Sequence, residues 1–158
     1  MNKFKIGDKK FNLDDINMIA YNATVFNNPD GPDFFKYISV FTTKNKNTPY
    51  NYYLVNTNTP GKDFTITNEL KSVYERLKAE NKTNFAFIDN ILILNLDKFK
   101  KVKCSYNKRE NMYDVDIYCG NTIFNHQEYY KDYAFELTDS IKDAKKKYDL
   151  EKENENSL

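Results

Sequence analysis

Histidine occurs once in the 158 residues, at position 126, and cysteine twice, at 104 and 119. A lone imidazole excludes the paired-histidine pattern of phosphodiesterases and most histidine-based metal centres. Two thiols are too few for a disulfide framework. The four glycines form neither a dinucleotide fingerprint nor a phosphate loop. Tryptophan is absent, and Arg76 and Arg109 are the only arginines. Arginine stacks on bases and grips phosphate with paired hydrogen bonds, so its scarcity counts against nucleic-acid recognition. No apolar run approaches the ~20 residues of a membrane-spanning helix. The first residues, Met-Asn-Lys-Phe-Lys-Ile-Gly, hold no apolar stretch of a secretory signal. The expectation is a cytoplasmic protein with reduced thiols and no membrane partner.

What is abundant is aromatic. Thirteen Tyr and twelve Phe make up 16% of the chain with no Trp, too much for a disordered chain and typical of β-rich folds. The formal net charge is +1, so no global field selects a charged partner. An echo also runs through the chain. Asn12-Leu13-Asp14, then Ile16 and Ile19, match Asn95-Leu96-Asp97, then Phe99 and Val102, at a constant offset.

The elements around the two copies match in kind. In the first, short strands flank a Gly7-Asp8 turn, and the second strand runs on through Ile16, Ile19, Tyr21 and Val25 with a bend at Asp14-Asp15. A Pro- and Gly-bearing loop at 27–33, a strand at 34–43, a turn at 44–49, a strand at 50–57 and a loop at 58–61 follow. A helix capped by Thr67 then carries Leu70, Val73, Tyr74 and Leu77 on one stripe. In the second copy, strands at 85–88, 91–106, 112–119 and 122–124 are joined by turns at Asp89-Asn90, Lys108-Arg109 and Gly120-Asn121. A helix capped by Asn125, with Glu128 in its first turn, carries Tyr130, Tyr133, Ala134, Leu137, Ile141, Ala144 and Tyr148.

The expected fold is α+β. Two pseudo-repeated ββββα units, 1–82 and 83–150, each an antiparallel sheet with one helix, share a core within a single 1–150 domain. Residues 151–158 form a disordered tail. The element order resembles that of single-stranded nucleic-acid binders of the Whirly and PUR types, without their sequence motifs. A helix-capped pleckstrin-like barrel is another arrangement of the same elements.

Strand alternation assigns the faces. Val102, Cys104 and Tyr106 share a side with Tyr113, Val115, Ile117 and Cys119. Lys101 and Lys103 share the other, with Lys103 expected opposite Asp114 and Lys101 opposite Asp116 as ion pairs. The matching outer positions of the first copy are Met18, Ala20, Tyr37, Ser39 and Phe41. That surface is apolar where its twin is charged, so it is either buried by the other half or used for binding.

These patterns bound the chemistry. His126 reads as a helix-start histidine, since Glu128 two residues on in a helix points away. Cys104 and Cys119 read as small buried apolar residues. Asp14, Asp15, Asp30 and Asp33 read as turn formers. No catalytic residue, metal ligand or cofactor is assigned, and an enzyme is not expected. The expected role is a non-catalytic interaction module binding another protein, as an inhibitor, adaptor or immunity-type protein. The candidate contact residues are Met18, Tyr37, Phe41, Tyr50, Tyr52 and Tyr53. The alternative is a single-stranded DNA or RNA binder using Lys98, Lys100, Lys101, Lys103, Lys108 and Arg109.

Overall fold

The computed structural model describes residues 3–45, 48–59 and 61–156. Lys46 and Asn47 of the expected turn, Pro60 of the expected loop and the last two residues of the expected tail lie outside them. The described residues form ten strands and two α-helices, in order β1 (Lys3–Ile6), β2 (Lys9–Asn12), β3 (Ile16–Asn28), β4 (Gly31–Thr42), β5 (Tyr50–Thr57), α1 (Phe64–Ala79), β6 (Phe85–Ile88), β7 (Leu92–Asn95), β8 (Phe99–Asn107), β9 (Met112–Cys119), β10 (Thr122–Glu128) and α2 (Lys131–Asn156). The class is α+β, with every sheet antiparallel.

Each half therefore contributes five strands and a helix rather than four and a helix. The strand expected to bend at Asp14-Asp15 and the strand expected to run unbroken over 91–106 are each split in two. Leu13–Asp15 form a 3-10 turn between β2 and β3, and 96–98 turn between β7 and β8. The cause is the shared motif. The Asn12 side chain accepts from the Asp14 N–H at 3.2 Å, and the Asn95 side chain accepts from the Asp97 N–H at 3.1 Å. An asparagine that bonds the backbone two residues on ends a strand.

The central sheet has the order β5-β4-β3-β7-β6 and so draws strands from both halves. On one face Ile19, Ile38, Val40 and Ile93 meet α1 through Ile66, Leu70, Val73 and Leu77, and meet the β1–β2 hairpin through Phe4, Ile6 and Phe11. On the other face Met18, Ala20, Phe41, Leu92 and Leu94 meet a three-stranded sheet, β10-β9-β8, and α2. Val102, Val115 and Ile117 of that sheet and Leu137 and Ile141 of α2 complete this second core. Each fully buried aliphatic side chain contributes about 1.5–3 kcal/mol over leaving it exposed.

The helix boundaries move. Asp63, not Thr67, caps α1 by accepting from the Thr65 and Ile66 N–H groups. Asn125 caps no helix, because β10 continues its pairing with β9 through Glu128. Its side chain donates to Asp116 at 2.8 Å instead. The buried stripe of α2 starts at Ala134, and residues 151–156 extend the helix as its exposed last turns.

A polar junction ties the three-stranded sheet to the central one. The Asn17 side chain, fully buried, donates to Asn121 at 3.0 Å and to Thr122 at 2.9 Å. The thiol of Cys119 lies 3.2 Å from the Asn17 carbonyl and 3.4 Å from that of Asn95. Asn95 donates to the Ile16 carbonyl at 2.9 Å. A Cβ on Gly120 would lie 2.5 Å from Asn17 Oδ1, so the turn admits only glycine at its φ of +57°.

Candidate interaction surface

Strand β7 pairs with β3 only at 18–20, and the Tyr21 N–H makes the next bond, 2.8 Å to the Ile91 carbonyl. Beyond it β3 and β4 run on as a hairpin to the Asn28–Gly31 pair, accompanied by β5 as far as Phe34 and Thr57. Residues 22–28 thus extend about 24 Å past the last covered position, at ~3.4 Å per residue.

The base of this ribbon is braced by polar side chains. Asn22 donates to Ser39 at 3.2 Å, and Ser39 donates to Asn51 at 2.6 Å, which links three strands. The hydroxyls of Thr24 and Tyr37 lie 2.9 Å apart. Lys36 is buried at 3% exposure, and its ammonium donates to the Thr59 carbonyl at 2.8 Å. Asp63 N–H donates to the Tyr21 hydroxyl at 2.8 Å, tying the start of α1 to the ribbon. Burial raises the Tyr21 phenol above its usual range, partly offset by that backbone hydrogen bond.

On this base stand apolar groups in water. Phe26 is 52% exposed and meets Phe35 edge to face at 5.1 Å between centroids. Leu54 is 64% exposed beside a shallow cleft lined by Tyr37, Asn51 and Tyr52. It follows Tyr53, whose φ of +60° marks the bulge in β5.

The candidate contact residues do not form one patch. Met18 and Phe41 are core, at 0% and 7% exposure, and Phe41 packs on Phe124 at 5.4 Å. The apolar outer face of the first half is therefore covered by the second half at these positions, and neither side chain is open to a partner. Tyr50 and Tyr52 lie on the opposite face, stacked at 5.7 Å against the β1–β2 hairpin, where the Tyr50 hydroxyl accepts from the Asp8 N–H at 3.1 Å. The Tyr52 hydroxyl is buried without a hydrogen-bond partner among the described residues. Tyr37 and Tyr53 remain at the surface of the ribbon. Phe26 and Leu54 were missed because Phe26 adjoins a stretch read as loop and Leu54 sits in a bulge that shifts the alternation.

The basic set is dispersed. Lys101 and Lys103 both lie over the Tyr118 ring, at 4.6 and 5.7 Å. Lys98 donates to the Thr43 hydroxyl at 3.0 Å. Lys108 and Arg109 stand in the exposed β8–β9 turn. The expected ion pairs do not form. Lys103 faces Asp116 and Lys101 faces Tyr118, and no ion pair joins these lysines to an aspartate among the described residues. The turn spans 108–111 rather than two residues, which slides the register by two and leaves each side chain on its predicted face. Asp116 and Asp114 instead accept from Asn125 and Gln127, at 2.8 and 3.0 Å. The bond from Gln127 leads those that hold the Asp114 carboxyl below its usual range against desolvation.

His126 and Glu128 share a face of β10, and their side chains meet at 2.8 Å. Residues two apart diverge on a helix but align on a strand. Cys104 and Cys119 are both free. Cys104 pairs with Val115, four residues along β9 from Cys119, so the thiols are about 13 Å apart along the strand direction. Burial pushes the Cys119 thiol up to about 12. No group of three or more His, Cys, Asp or Glu positioned for a metal occurs among the described residues. No helix among them is long and apolar enough to cross a membrane. Tyr106 at the end of β8, Tyr129 and Tyr130 between β10 and α2, and Tyr133 on α2 are also exposed, and Tyr130 meets Tyr133 edge to face at 5.5 Å. Tyr130 and Tyr133 are expected on the stripe of the second helix, but α2 begins at Lys131 and its buried residues begin at Ala134.

Comparison with protein-family models, with curated proteins and with solved structures finds no match.

Proposed function

We propose that the protein is a non-catalytic interaction module that binds another protein through the β3–β4–β5 ribbon. The observation that supports this is the placing of Phe26 and Leu54. Both are large, both are more than half exposed, and both lie on strands cross-linked at the base of the ribbon by the Asn22–Ser39–Asn51 hydrogen bonds. Exposed apolar groups on a braced scaffold cost little ordering entropy on binding, and such anchors dominate interface energetics. An inhibitor, an adaptor and an immunity-type protein all act in this way.

Single-stranded nucleic acid fits the geometry less well. The Tyr118 ring is already covered by Lys101 and Lys103, and Asp116 shares their outer face. A base would have to displace a cation to stack there, and a phosphate track would meet a carboxylate.

The immobilised full chain is to be exposed to an extract of its native host. A protein retained in fixed stoichiometry by the wild type, and lost with Phe26→Asp or Leu54→Asp in a chain of unchanged circular dichroism, supports the proposal. Equal retention by both variants overturns it, as does recovery of nucleic acid alone.

A further inference from the structure

We infer that the chain pairs with a second copy of itself along the open edge of β3, residues 22–28, in an antiparallel two-fold arrangement. The inference rests on the same projecting ribbon as the preceding proposal, but on its backbone edge rather than its side-chain face.

The edges of the three sheets are not alike. A free strand edge templates further pairing unless it is short, charged or bulged. Strand β6 has four residues. Strand β8 carries Lys100, Lys101 and Lys103 and a bulge after Phe99. Strand β5 is broken by the bulge at Tyr53. Strand β10 ends in the His126–Glu128 pair. The small β1–β2 sheet bears Lys3, Lys5, Lys9 and Lys10. Residues 22–28, Asn-Ala-Thr-Val-Phe-Asn-Asn, have no charge, no proline and no register shift against β4. They are the one long edge without a guard among the described residues.

Their backbone groups face the right way. The Tyr21 N–H bonds to Ile91 on the β7 side. Alternation then turns the N–H and C=O groups of 23, 25 and 27 to the same open side. Ala23 N–H is met by its neighbour's Asn22 Oδ1 at 2.9 Å, which leaves the Ala23 carbonyl and the outward groups of Val25 and Asn27 as the template. Ala23, Val25 and Asn27 are all exposed.

The segment also suits itself. A two-fold axis at Val25 sets it against Val25 of the partner subunit, Thr24 against Phe26 of the partner subunit, and Ala23 against Asn27 of the partner subunit. β-Branched and aromatic–β-branched pairs are favourable across strands, and no like charges are opposed. The same operation on β8 would align lysines. The new strand would continue the sheet where β7 stops and would join the β3–β4–β5 ribbons of the two copies into one sheet.

Sedimentation velocity on the full chain over a concentration series tests this. The wild type is expected to move from monomer to dimer as concentration rises. Val25→Lys, which opposes two ammonium groups on the axis, is expected to stay monomeric with unchanged circular dichroism, and Val25→Thr is expected to dimerise. Ala23→Lys is the second variant should Val25→Lys fail to fold. A wild type that is monomeric throughout overturns the pairing, and so does a dimer that survives both lysine variants. A monomeric wild type whose partner capture still depends on Phe26 and Leu54 overturns the pairing and leaves the preceding proposal standing.

Discussion

Asn12 and Asn95 close the same turn in the two halves, yet the strands they release have opposite surroundings. Strand β3 enters the middle of a sheet covered on both faces, and its first five residues are all buried. Strand β8 becomes the edge of a smaller sheet with one face in water, and over 101–105 exposed residues alternate with the buried Val102 and the half-buried Cys104. The residues agree with these fates. Ile-Asn-Met-Ile-Ala is the near-continuous run of a two-faced strand, whereas Lys-Val-Lys-Cys alternates. A local motif can therefore set where a strand begins without setting which layer receives it. Side-chain periodicity sets the layer, and it differs here between two segments that share an Asn-initiated turn.

The largest expected effect concerns the hairpin glycines. Gly120→Ala should cost about 2–5 kcal/mol, combining left-handed strain with a clash against buried Asn17. Gly31→Ala, at the β3–β4 turn, has open space around its Cβ and a φ of +124°, and should cost about 1–3 kcal/mol from backbone strain. Urea denaturation midpoints measure both. Equal losses would mean that the Asn17 junction does not hold the halves together.

The matched asparagines give the next effect. Asn95→Ala at a position 2% exposed strips the Ile16 carbonyl and Asn84 of their partner, and should cost about 1–3 kcal/mol. Asn12→Ala at a half-buried position should cost about 1 kcal/mol or less. A reversed order in thermal melts would break the distinction drawn between the two turns.

The thiols separate by rate rather than by stability. Cys104 is partly exposed, whereas Cys119 is buried with its thiol pushed up to about 12. Native labelling with an alkylating reagent at neutral pH should add one group, at Cys104, and a second only after denaturation. Intact-mass spectrometry reads the count, and two rapid additions would place Cys119 outside the core.

The smallest effect is one of pH. Desolvation raises the Asp97 carboxyl, but hydrogen bonds from Lys152 and Tyr148 and the charges of Lys152 and Lys145 outweigh it and hold it below the usual range. A carboxyl depressed in the folded state stabilises above its unfolded value, about 3.9, and loses that contribution as pH falls through the folded value. Stability should therefore drop below about pH 4, and Asp97→Asn should flatten the drop. The effect is small, since Asp97 is nearly half exposed and screened by water.

Much of the fold was legible in the residues. The α1 stripe of Leu70, Val73 and Leu77, the Gly120-Asn121 hairpin and the inward face of Val102, Val115 and Ile117 all follow from periodicity. What failed was phase and termination. An Asx turn inside an apolar run reads as a bend until its hydrogen bond is seen. A four-residue turn moves a register by two without changing any face. Asn125 has a capping residue's chemistry, but the β9 ladder claimed it. The contact surface was the least legible part. Met18 and Phe41 look like a free apolar face until the second half is laid on them, and Phe26 lies beyond the part of β3 that pairs with β7.

Ile123, on the outer face of the second half, is as exposed as Leu54 on the ribbon, at 64% each. Partner capture by Ile123→Asp and Leu54→Asp, measured side by side on folded protein, is the most direct test of assigning recognition to the first half. Retention by Ile123→Asp with loss by Leu54→Asp is the predicted result. Loss by Ile123→Asp with retention by Leu54→Asp would move the binding surface to the three-stranded sheet and contradict the assignment.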